Sequence, residues 1–464
     1  MQTGVAAALL AASGLPVSAR AQGGRLRIGL SEALPDFTTG AQNARSIFGA
    51  VAGQGAVYDT LTEVSADGAL KGELAASWAP SSDAAVWTFA LRDNVRFHDG
   101  AALTAGIVAD VFMRYRATAD AASILSTVSS VEALPGNRVR FALEGSNPDF
   151  PWYLSDPGLV VTRPRVSRAQ PPLGTGLYRF EEWGREGRIL ARRVTPHYKD
   201  GYAGWFDELE LLAMPDEGAR AQALLSGRID VTHDLLPETL ERLDRDARFD
   251  VRMVPDARYL AFECLGADAA DLRASLSATI SRGNLMSGAI APLGRAAHDN
   301  PFPQGSATGL HVSSAPPLPR ELSVAVAPDL GAAGARVVSV FAKQLSASGT
   351  RARLAAQPYK ADILIHRLPV RPLADWAWLD WARFSGGGAE LMTALGEARA
   401  CLDPELRAAL FAQVSVLAAR TTHVVVPCYL NNTMAYTRSV APPGRLGADL
   451  DLDGARIAER WWRV

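Results

Sequence analysis

Cysteine is scarce in this chain. Its 464 residues include only Cys264, Cys401 and Cys428, and no two of them stand in C-x-x-C spacing. Because C-x-x-C spacing is absent, the cysteines indicate neither a zinc ribbon nor a dithiol redox site. Two alternatives remain open: one disulfide with a spare thiol, or buried cysteines that serve as small hydrophobic side chains.

Net charge and long apolar runs are also lacking. The 47 basic and 49 acidic residues give a formal net charge of -2, and no segment is dense enough in Lys and Arg to neutralise a nucleic-acid backbone. No stretch after the amino-terminal region approaches the roughly 20 apolar residues of a membrane helix. With 48% hydrophobic and 21% charged residues, the composition is that of a soluble globular protein, and the length predicts two or three domains.

Motifs of catalysis are absent as well. The seven histidines are scattered, and the sequence contains no H-E-x-x-H, G-x-S-x-G or G-x-x-x-x-G-K-[ST] motif. His98 and Asp99 are adjacent, but neighbouring side chains at the end of a strand point in opposite directions. We therefore expect no catalytic residue, no metal site and no cofactor.

The amino-terminal residues have the features of an export signal. An apolar run, Val5–Leu15, is followed by Pro16 and by small residues at the positions that a signal peptidase reads, so we expect cleavage after Ala21. No Lys or Arg precedes the run. One interpretation is that translation starts upstream and that Met1 belongs to the end of a twin-arginine signal. Both interpretations of the export signal predict a periplasmic protein. No lipobox cysteine stands at the cleavage site.

The remaining sequence contains both the two-residue period of strands and the three- to four-residue period of helices. Apolar residues alternate with polar or small ones in Leu26–Leu30 and in Trp87–Leu91, as in strands with one buried face. Thr104 predicts the N-cap of a helix whose apolar residues recur at steps of three and four as far as Tyr115. Asp403 before a proline predicts the start of another helix. The alternation of both patterns predicts an α/β architecture.

A series of motifs in fixed order resembles the family 5 extracellular solute-binding proteins, which are the peptide-, nickel- and opine-type receptors of ABC importers. The segments that carry the resemblance are Leu74–Trp78, Trp87–Arg92, Val95–Gly100, Leu103–Ala105, Gly174–Phe180 with Trp183, and Leu224–Val231. The resemblance covers most of the chain and thins between Gly294 and Asp362.

This resemblance implies a type II periplasmic-binding-protein-like α/β fold, with mixed sheets in two lobes that close about a hinge on a ligand cleft. It also implies a monomeric, non-enzymatic receptor that delivers a small solute to a membrane permease. The domain boundaries that it implies are 1–21 for the signal peptide, 22–52 with 163–258 and 431–464 for lobe I, 53–162 for an extra subdomain packed on lobe I, and 259–430 for lobe II.

Several ligand contacts follow from the resemblance by position. They are Ser31 and Glu32 after the first strand, Tyr58, and Tyr429 and Asn431 near the return to the first lobe.

The sequence departs from the peptide receptors of the family near residue 365. Those receptors carry a Gly-Trp and a nearby Asp that pairs with the ligand's ammonium, where this chain has His366–Arg371. A buried ammonium without a partner is unfavourable, so we expect Arg367 or Arg371 to bind a carboxylate or another anion. Two alternatives remain: both arginines are solvated, or Asp375 or Asp380 takes the role of the missing Asp.

An aromatic cluster follows directly. Trp376, Trp378 and Trp381 surround Asp380, and flat rings with one carboxylate are suited to a small-molecule site. We predict Trp376, Trp378 and Asp380 as ligand contacts, with ordinary core packing as the alternative for the rings.

The predicted function is therefore capture of a peptide-like or anionic solute for an ABC importer. Within the same fold, a metal-chelate or opine receptor is the alternative. From other classes, a secreted hydrolase with an unrecognised Asp or His, and a degenerate partner protein that no longer binds solute, also remain open.

Overall fold

The structure is a computed structural model that describes residues 22–34, 46–117, 124–163, 173–185, 187–303, 315–327, 330–331, 333–355, 357–384, 388–448 and 450–464. The predicted signal peptide, residues 1–21, lies outside the described residues. The described residues fall into two compact units: unit 1 lies within residues 22–235, 239–252 and 434–464, and unit 2 within residues 236–238 and 253–433. The predicted lobe and subdomain boundaries remain predictions.

The strands are numbered in chain order. They are β1 Arg25–Leu30, β2 Thr62–Val64, β3 Leu70–Gly72, β4 Ala75–Pro80, β5 Val86–Leu91, β6 Val128–Leu134, β7 Arg138–Leu143, β8 Tyr178–Arg185, β9 Arg188–Arg193, β10 Glu208–Ala213, β11 Val231–His233, β12 Phe249–Cys264, β13 Gly294–Ala296, β14 Glu321–Val326, β15 Arg351–Leu354, β16 Ile363–Pro369, β17 Val424–Val425, β18 Cys428–Thr437, β19 Val440–Ala441 and β20 Trp462–Arg463.

The helices are numbered in the same way. They are α1 Ile47–Gly53, α2 Ala105–Arg116, α3 Phe150–Tyr153, α4 Glu217–Leu225, α5 Pro237–Asp244, α6 Ala269–Thr279, α7 Arg282–Leu285, α8 Gly334–Ala347, α9 Ala374–Phe384, α10 Ala389–Ala400, α11 Pro404–Thr421, α12 Asp451–Gly454 and α13 Ile457–Arg460. Short 3-10 turns lie at Pro157–Leu159 and Pro358–Lys360, and a π-turn at Met286–Ile290.

The main sheet of unit 1 is built around β1. β1 pairs in parallel with β10 on one side and with β11 on the other, and β9 and β8 continue the sheet antiparallel beyond β10. The alternation predicted for Leu26, Ile28 and Leu30 is confirmed, because all three side chains are fully buried in the core of this unit. Parallel pairing places the carboxyl ends of β10, β1 and β11 at one edge of the sheet.

A second sheet in unit 1, in the order β4-β5-β7-β6, is antiparallel throughout. The apolar side chains of β5 that were predicted to face a core, from Trp87 to Leu91, are buried. Helix α2 begins as predicted, with the Thr104 hydroxyl accepting the amide hydrogen bond of Ile107. These residues form the scaffold of the unit.

The Gly174-Thr175-Gly176 motif packs against the segment before β2. A Cβ atom on Gly174 would lie 1.9 Å from the carbonyl oxygen of Val57, and one on Gly176 would lie 2.4 Å from that of Ala56. Only glycine permits this close approach of two backbones. Between the glycines, Thr175 Oγ1 donates a hydrogen bond of 2.7 Å to Asp59 Oδ2. This part of the family motif is therefore structural.

The sheet of unit 2 places β14 between β15 and β16, parallel to both, and β12 antiparallel to β16. Phe262 of β12 contacts Phe341 of α8 in an edge-to-face arrangement with ring centroids 4.8 Å apart. Cys264 and Cys428 are buried in this unit as free thiols, and Cys401 is free as well. The alternative of small hydrophobic side chains is therefore confirmed for the two buried cysteines, whose pKa values burial raises.

Candidate ligand-binding residues

Ser31 and Glu32 lie at the carboxyl edge of the parallel strands of unit 1. In α/β sheets this edge is where ligands bind. The amide of Ser31 donates to Nε2 of His233 at 3.2 Å, and His233 is the last residue of β11. The amide of Met214, just after β10, donates to the carbonyl of Leu30 at 2.8 Å. The turn that carries both predicted residues is thus tied to the neighbouring strands.

A fully buried arginine holds the adjacent turns of the same edge. Arg220 of α4 donates to the carbonyls of Met214 at 2.7 Å and Pro215 at 2.9 Å through Nη1, and to that of Asp234 at 2.9 Å through Nη2. Sequence reasoning identified neither Arg220 nor His233. A hydrophobic strand ending in histidine and an arginine within a helix carry no local signal of such a role.

Tyr58 lies in the hydrophobic core of unit 1. A Cβ atom on Gly174 would lie 2.6 Å from its ring, so the tyrosine packs directly on the glycine motif. Its assignment as a ligand contact remains a prediction.

Arg367 lies near the carboxyl end of β16, opposite Leu260 of β12. Because β14, β15 and β16 are parallel, this is the edge of unit 2 that corresponds to the one carrying Ser31 in unit 1. Side chains alternate along a strand, so His366 faces the opposite side of the sheet, where its Nε2 lies 3.0 Å from Glu263 Oε2. Within His366–Arg371, His366 and Arg367 therefore face opposite sides of the sheet.

Arg371 and Asp380 pair with each other. Nε of Arg371 donates to Asp380 Oδ2 at 2.5 Å, and its guanidinium carbon lies 4.5 Å from the centroid of the Trp376 ring. Asp375 accepts from Nε of Arg399 at 2.9 Å. Both carboxylates proposed for a ligand ammonium thus face an arginine of their own unit.

The tryptophan rings of α9 are buried. Trp376, Trp378 and Trp381 are only 2–3% exposed, Trp378 and Trp381 have ring centroids 5.7 Å apart, and Trp381 stacks on Tyr259 of β12 at 6.3 Å. This packing corresponds to the core alternative stated for the rings. Their role as ligand contacts remains a prediction.

Tyr429 and Asn431 lie on β18, at its pairing with β13. The Tyr429 hydroxyl donates to the carbonyl of Asn300 at 2.8 Å, and the guanidinium of Arg295 lies 4.6 Å from the centroid of its ring. Burial raises the pKa of Tyr429 to about 12. Asn431 Oδ1 accepts the amide hydrogen bond of Asp256 at 3.2 Å. Both side chains bind within unit 2, and their ligand roles remain predictions.

A small open depression lies on the His366 side of the unit 2 sheet. Its lining residues are Tyr259, Ala261, Glu263, His366, Leu368, Trp381 and Val424. Trp381 is the member of the predicted aromatic cluster that contributes to this lining.

Among the described residues, three buried carboxylates of unit 1 lie close enough together to share a metal ion: Asp59, Glu73 and Glu459. The ammonium of Lys199 fills the position between them, donating to Asp59 at 2.8 Å, to Glu73 at 2.6 Å and also to Glu459. We call these three carboxylates with Lys199 and Arg456 the lysine cage.

Arg456 is the second cation of the cage. Its Nη1 lies 2.6 Å from Glu73 and 2.9 Å from Glu459. Burial alone would raise the pKa of Glu73 and of Glu459, but Arg456 and Lys199 more than offset burial and hold both pKa values below their usual range. Both glutamates therefore stay ionised beside Lys199 and Arg456.

The comparisons with known proteins agree with this architecture. The sequence model of the bacterial extracellular solute-binding proteins, family 5, matches residues 69–317, just over half of the chain. The chain belongs to this family. The predicted family and the α/β fold of a two-lobed binding protein are thereby confirmed.

The relatives of this family 5 protein include several receptors. It is 26% identical over 269 residues to the probable D,D-dipeptide-binding periplasmic protein DdpA of Escherichia coli K12, a match that covers 53% of this chain and 52% of that protein. The chain thus spans about half the length of the curated relatives that it matches.

Two solved structures show the fold over nearly the whole chain. AgaA of A. tumefaciens R10 in complex with agropinic acid has a TM-score of 0.83 at 18% identity, covering 95% of this chain and 99% of that one. A dipeptide-binding protein of Pseudoalteromonas sp. SM9913 in complex with Met-Leu has a TM-score of 0.80 at 16% identity, covering 95% and 100%.

Proposed function

We propose that this family 5 protein is the substrate-binding component of an ABC importer. It captures a small solute, peptide-like or anionic, in the periplasm and delivers it to a membrane permease, without covalent chemistry. The match of residues 69–317 to the family model carries the proposal, because that family consists of binding proteins. Within the described residues, no helix has the length and apolarity to cross a membrane.

The ion pairs of unit 2 support an anionic ligand over a free peptide amino terminus. Asp375 and Asp380 each accept a hydrogen bond from an arginine, so an incoming ammonium would have to displace a guanidinium from a partly buried pair. Displacing a paired buried charge is strongly unfavourable. Arg367, at the carboxyl edge of the sheet, can instead offer two parallel N–H groups to a carboxylate.

An opine or metal-chelate receptor is the second candidate, and the same arginine favours it. Opines and metal chelates carry carboxylates, and AgaA is solved in complex with agropinic acid. The two candidates differ in the solute and not in the mechanism.

Native mass spectrometry of the protein purified from its own periplasm tests the proposal. We expect an excess mass that disappears on denaturation and identifies the solute class. Thermal shifts with agropinic acid, glutathione, D-alanyl-D-alanine and a nickel–histidine complex then rank the candidates. If no excess mass and no shift were found, the degenerate partner protein would become the better account, and turnover of an ester and peptide panel would instead support the hydrolase.

A further inference from the structure

His233 and Asp451 form a buried pair beneath the Ser31 turn. The two residues are no more than 1% exposed, and Nδ1 of His233 lies 3.2 Å from Asp451 Oδ2. Asp451 directly precedes Leu452 and Asp453, two residues in the left-handed region with φ of 57° and 63°. Asp453 is itself held by the amide of Gly447 at 2.7 Å and by Arg460 at 3.2 Å.

The hydrogen bonds of His233 fix its tautomer. Neutral imidazole has one donor nitrogen and one acceptor nitrogen. The Ser31 amide can only donate, so Nε2 must be the acceptor. Nδ1 therefore carries the proton and donates it to Asp451, whose carboxylate accepts only. Both neighbours independently require the same tautomer.

Ser31, His233 and Asp451 have the composition of a catalytic triad, but their connectivity differs from one. In a triad the nucleophile's hydroxyl donates to Nε2 of the histidine. Here the group bound to Nε2 is the backbone amide of Ser31. An imidazole whose acceptor nitrogen binds an amide does not activate a hydroxyl. The arrangement orients a backbone and does not prepare a nucleophile.

Other side chains hold the neighbouring turns and the strand β1 by hydrogen bonds. Arg220 binds the carbonyls after β10 and β11, and the Thr232 hydroxyl donates to the carbonyl of Gly29 at 2.9 Å. His233 reaches the turn carrying Ser31 and Glu32 through the amide of Ser31. We propose that His233, held in one tautomer by Asp451, is a positioning residue that fixes the Ser31–Glu32 turn for the solute. This inference rests on the proposed function.

Two substitutions of His233 separate its two hydrogen bonds. In His233→Asn the amide nitrogen can replace Nδ1 toward Asp451, but Ser31 loses its acceptor. In His233→Gln the longer amide can offer an acceptor where Nε2 stood. Thr232→Val is the matched control, because it removes a buried hydrogen bond of the same strand without touching Ser31.

The first measurement is hydrogen exchange of the Ser31 amide in the solute-free protein. We expect exchange to be at least about tenfold faster in His233→Asn, which is the loss of one hydrogen bond, and close to the wild-type rate in His233→Gln and Thr232→Val. Nitrogen NMR of the wild-type imidazole should show a protonated Nδ1. A protonated Nε2, or a Ser31 amide as well protected in His233→Asn as in the wild type, would overturn the link between His233 and Ser31. If a variant fails to fold, the wild-type nitrogen spectrum still tests this link.

The second measurement is the Kd for agropinic acid, glutathione and D-alanyl-D-alanine. We expect His233→Asn to weaken binding of the compound that binds best by about tenfold or more, with partial recovery in His233→Gln. Faster Ser31 exchange with an unchanged Kd would overturn the positioning role while leaving the receptor intact. If no compound bound the wild type and native mass spectrometry showed no solute, the proposed function would fail, and with it the site that His233 positions.

Discussion

Two charged clusters of this protein, one in each unit, use paired ions in different ways. The lysine cage joins residues that are far apart in sequence, since Lys199 is 140 positions from Asp59 and Arg456 is 383 positions from Glu73, and its members are buried. The Arg371–Asp380 pair at α9 is local, since the two residues are nine positions apart, and their side chains remain 21% and 12% exposed. The cage cross-links distant segments of unit 1, whereas the Arg371–Asp380 pair joins neighbouring residues of unit 2 and stays partly exposed.

Breaking the cage should have the largest effect. Lys199→Met leaves three carboxylates buried without their shared cation, and such a loss costs about 3–5 kcal/mol in the free energy of unfolding. Urea denaturation measures it. Lys343→Met is the control, because it makes the same change at an exposed position of α8. Equal stability of the two variants would mean that the cage contributes nothing as a cross-link.

Arg367→Ala tests the predicted anion contact of unit 2, on β16 just before the α9 pairs. Loss of a bidentate contact should weaken binding of an anionic solute such as agropinic acid by about tenfold to a hundredfold, or roughly 1.4–2.7 kcal/mol. Isothermal titration measures the Kd. Arg353→Ala, at an exposed position of β15, is the matched control. An unchanged Kd in Arg367→Ala would remove this arginine from the site.

The cage also predicts a dependence of stability on pH. The pKa of Glu73 is lower in the folded protein than in the unfolded chain, so its contribution is complete above the unfolded value of about 4.3 and is lost as the pH falls below it. Glu73→Gln should therefore reduce the change in unfolding free energy between pH 5 and pH 3 by about 1–2 kcal/mol. Urea midpoints across this range provide the measurement, with the exposed Glu144→Gln as reference. Parallel curves for wild type and Glu73→Gln would contradict the assignment.

The smallest expected effect concerns Arg371 and Asp380. A double-mutant cycle with Arg371→Ala and Asp380→Asn should give a coupling of about 1 kcal/mol in unfolding free energy, because the pair is partly exposed and screened by solvent. The same cycle on the Kd of an anionic solute shows whether the pair opens for the ligand. A coupling as large as the loss in Lys199→Met would erase the distinction between the two clusters.

The fold was accessible from sequence because its signals are local. The alternation of Leu26–Leu30, the N-cap at Thr104 and the Gly174–Gly176 motif each report on a few neighbouring residues, and each predicted its element or its family correctly. The start of α11 was predicted in the same way, and Asp403 caps this helix as expected.

The lysine cage and the His233 pair could not be predicted because their partners meet only in the folded chain. Nothing within ten residues of Lys199 indicates three carboxylates, and Asp451 lies 218 positions from His233. For the tryptophans of α9 the sequence signal is local but ambiguous. Their clustering is visible in the sequence, yet one sequence does not tell a buried ring from a ligand contact.

The long sequence separation within the lysine cage sets an order of events during synthesis. Unit 2 is nearly continuous, from residue 253 to 433, so its segments are all available as soon as the ribosome has passed it. In unit 1, Lys199 pairs with Asp59 and Glu73 within the early half of the chain, but Arg456 and Glu459 complete the cage only near its end. Until then the early half holds two carboxylates for one ammonium, and the unmatched charge favours water over a core. We therefore expect unit 1 to reach its final form after unit 2, although most of it is made first.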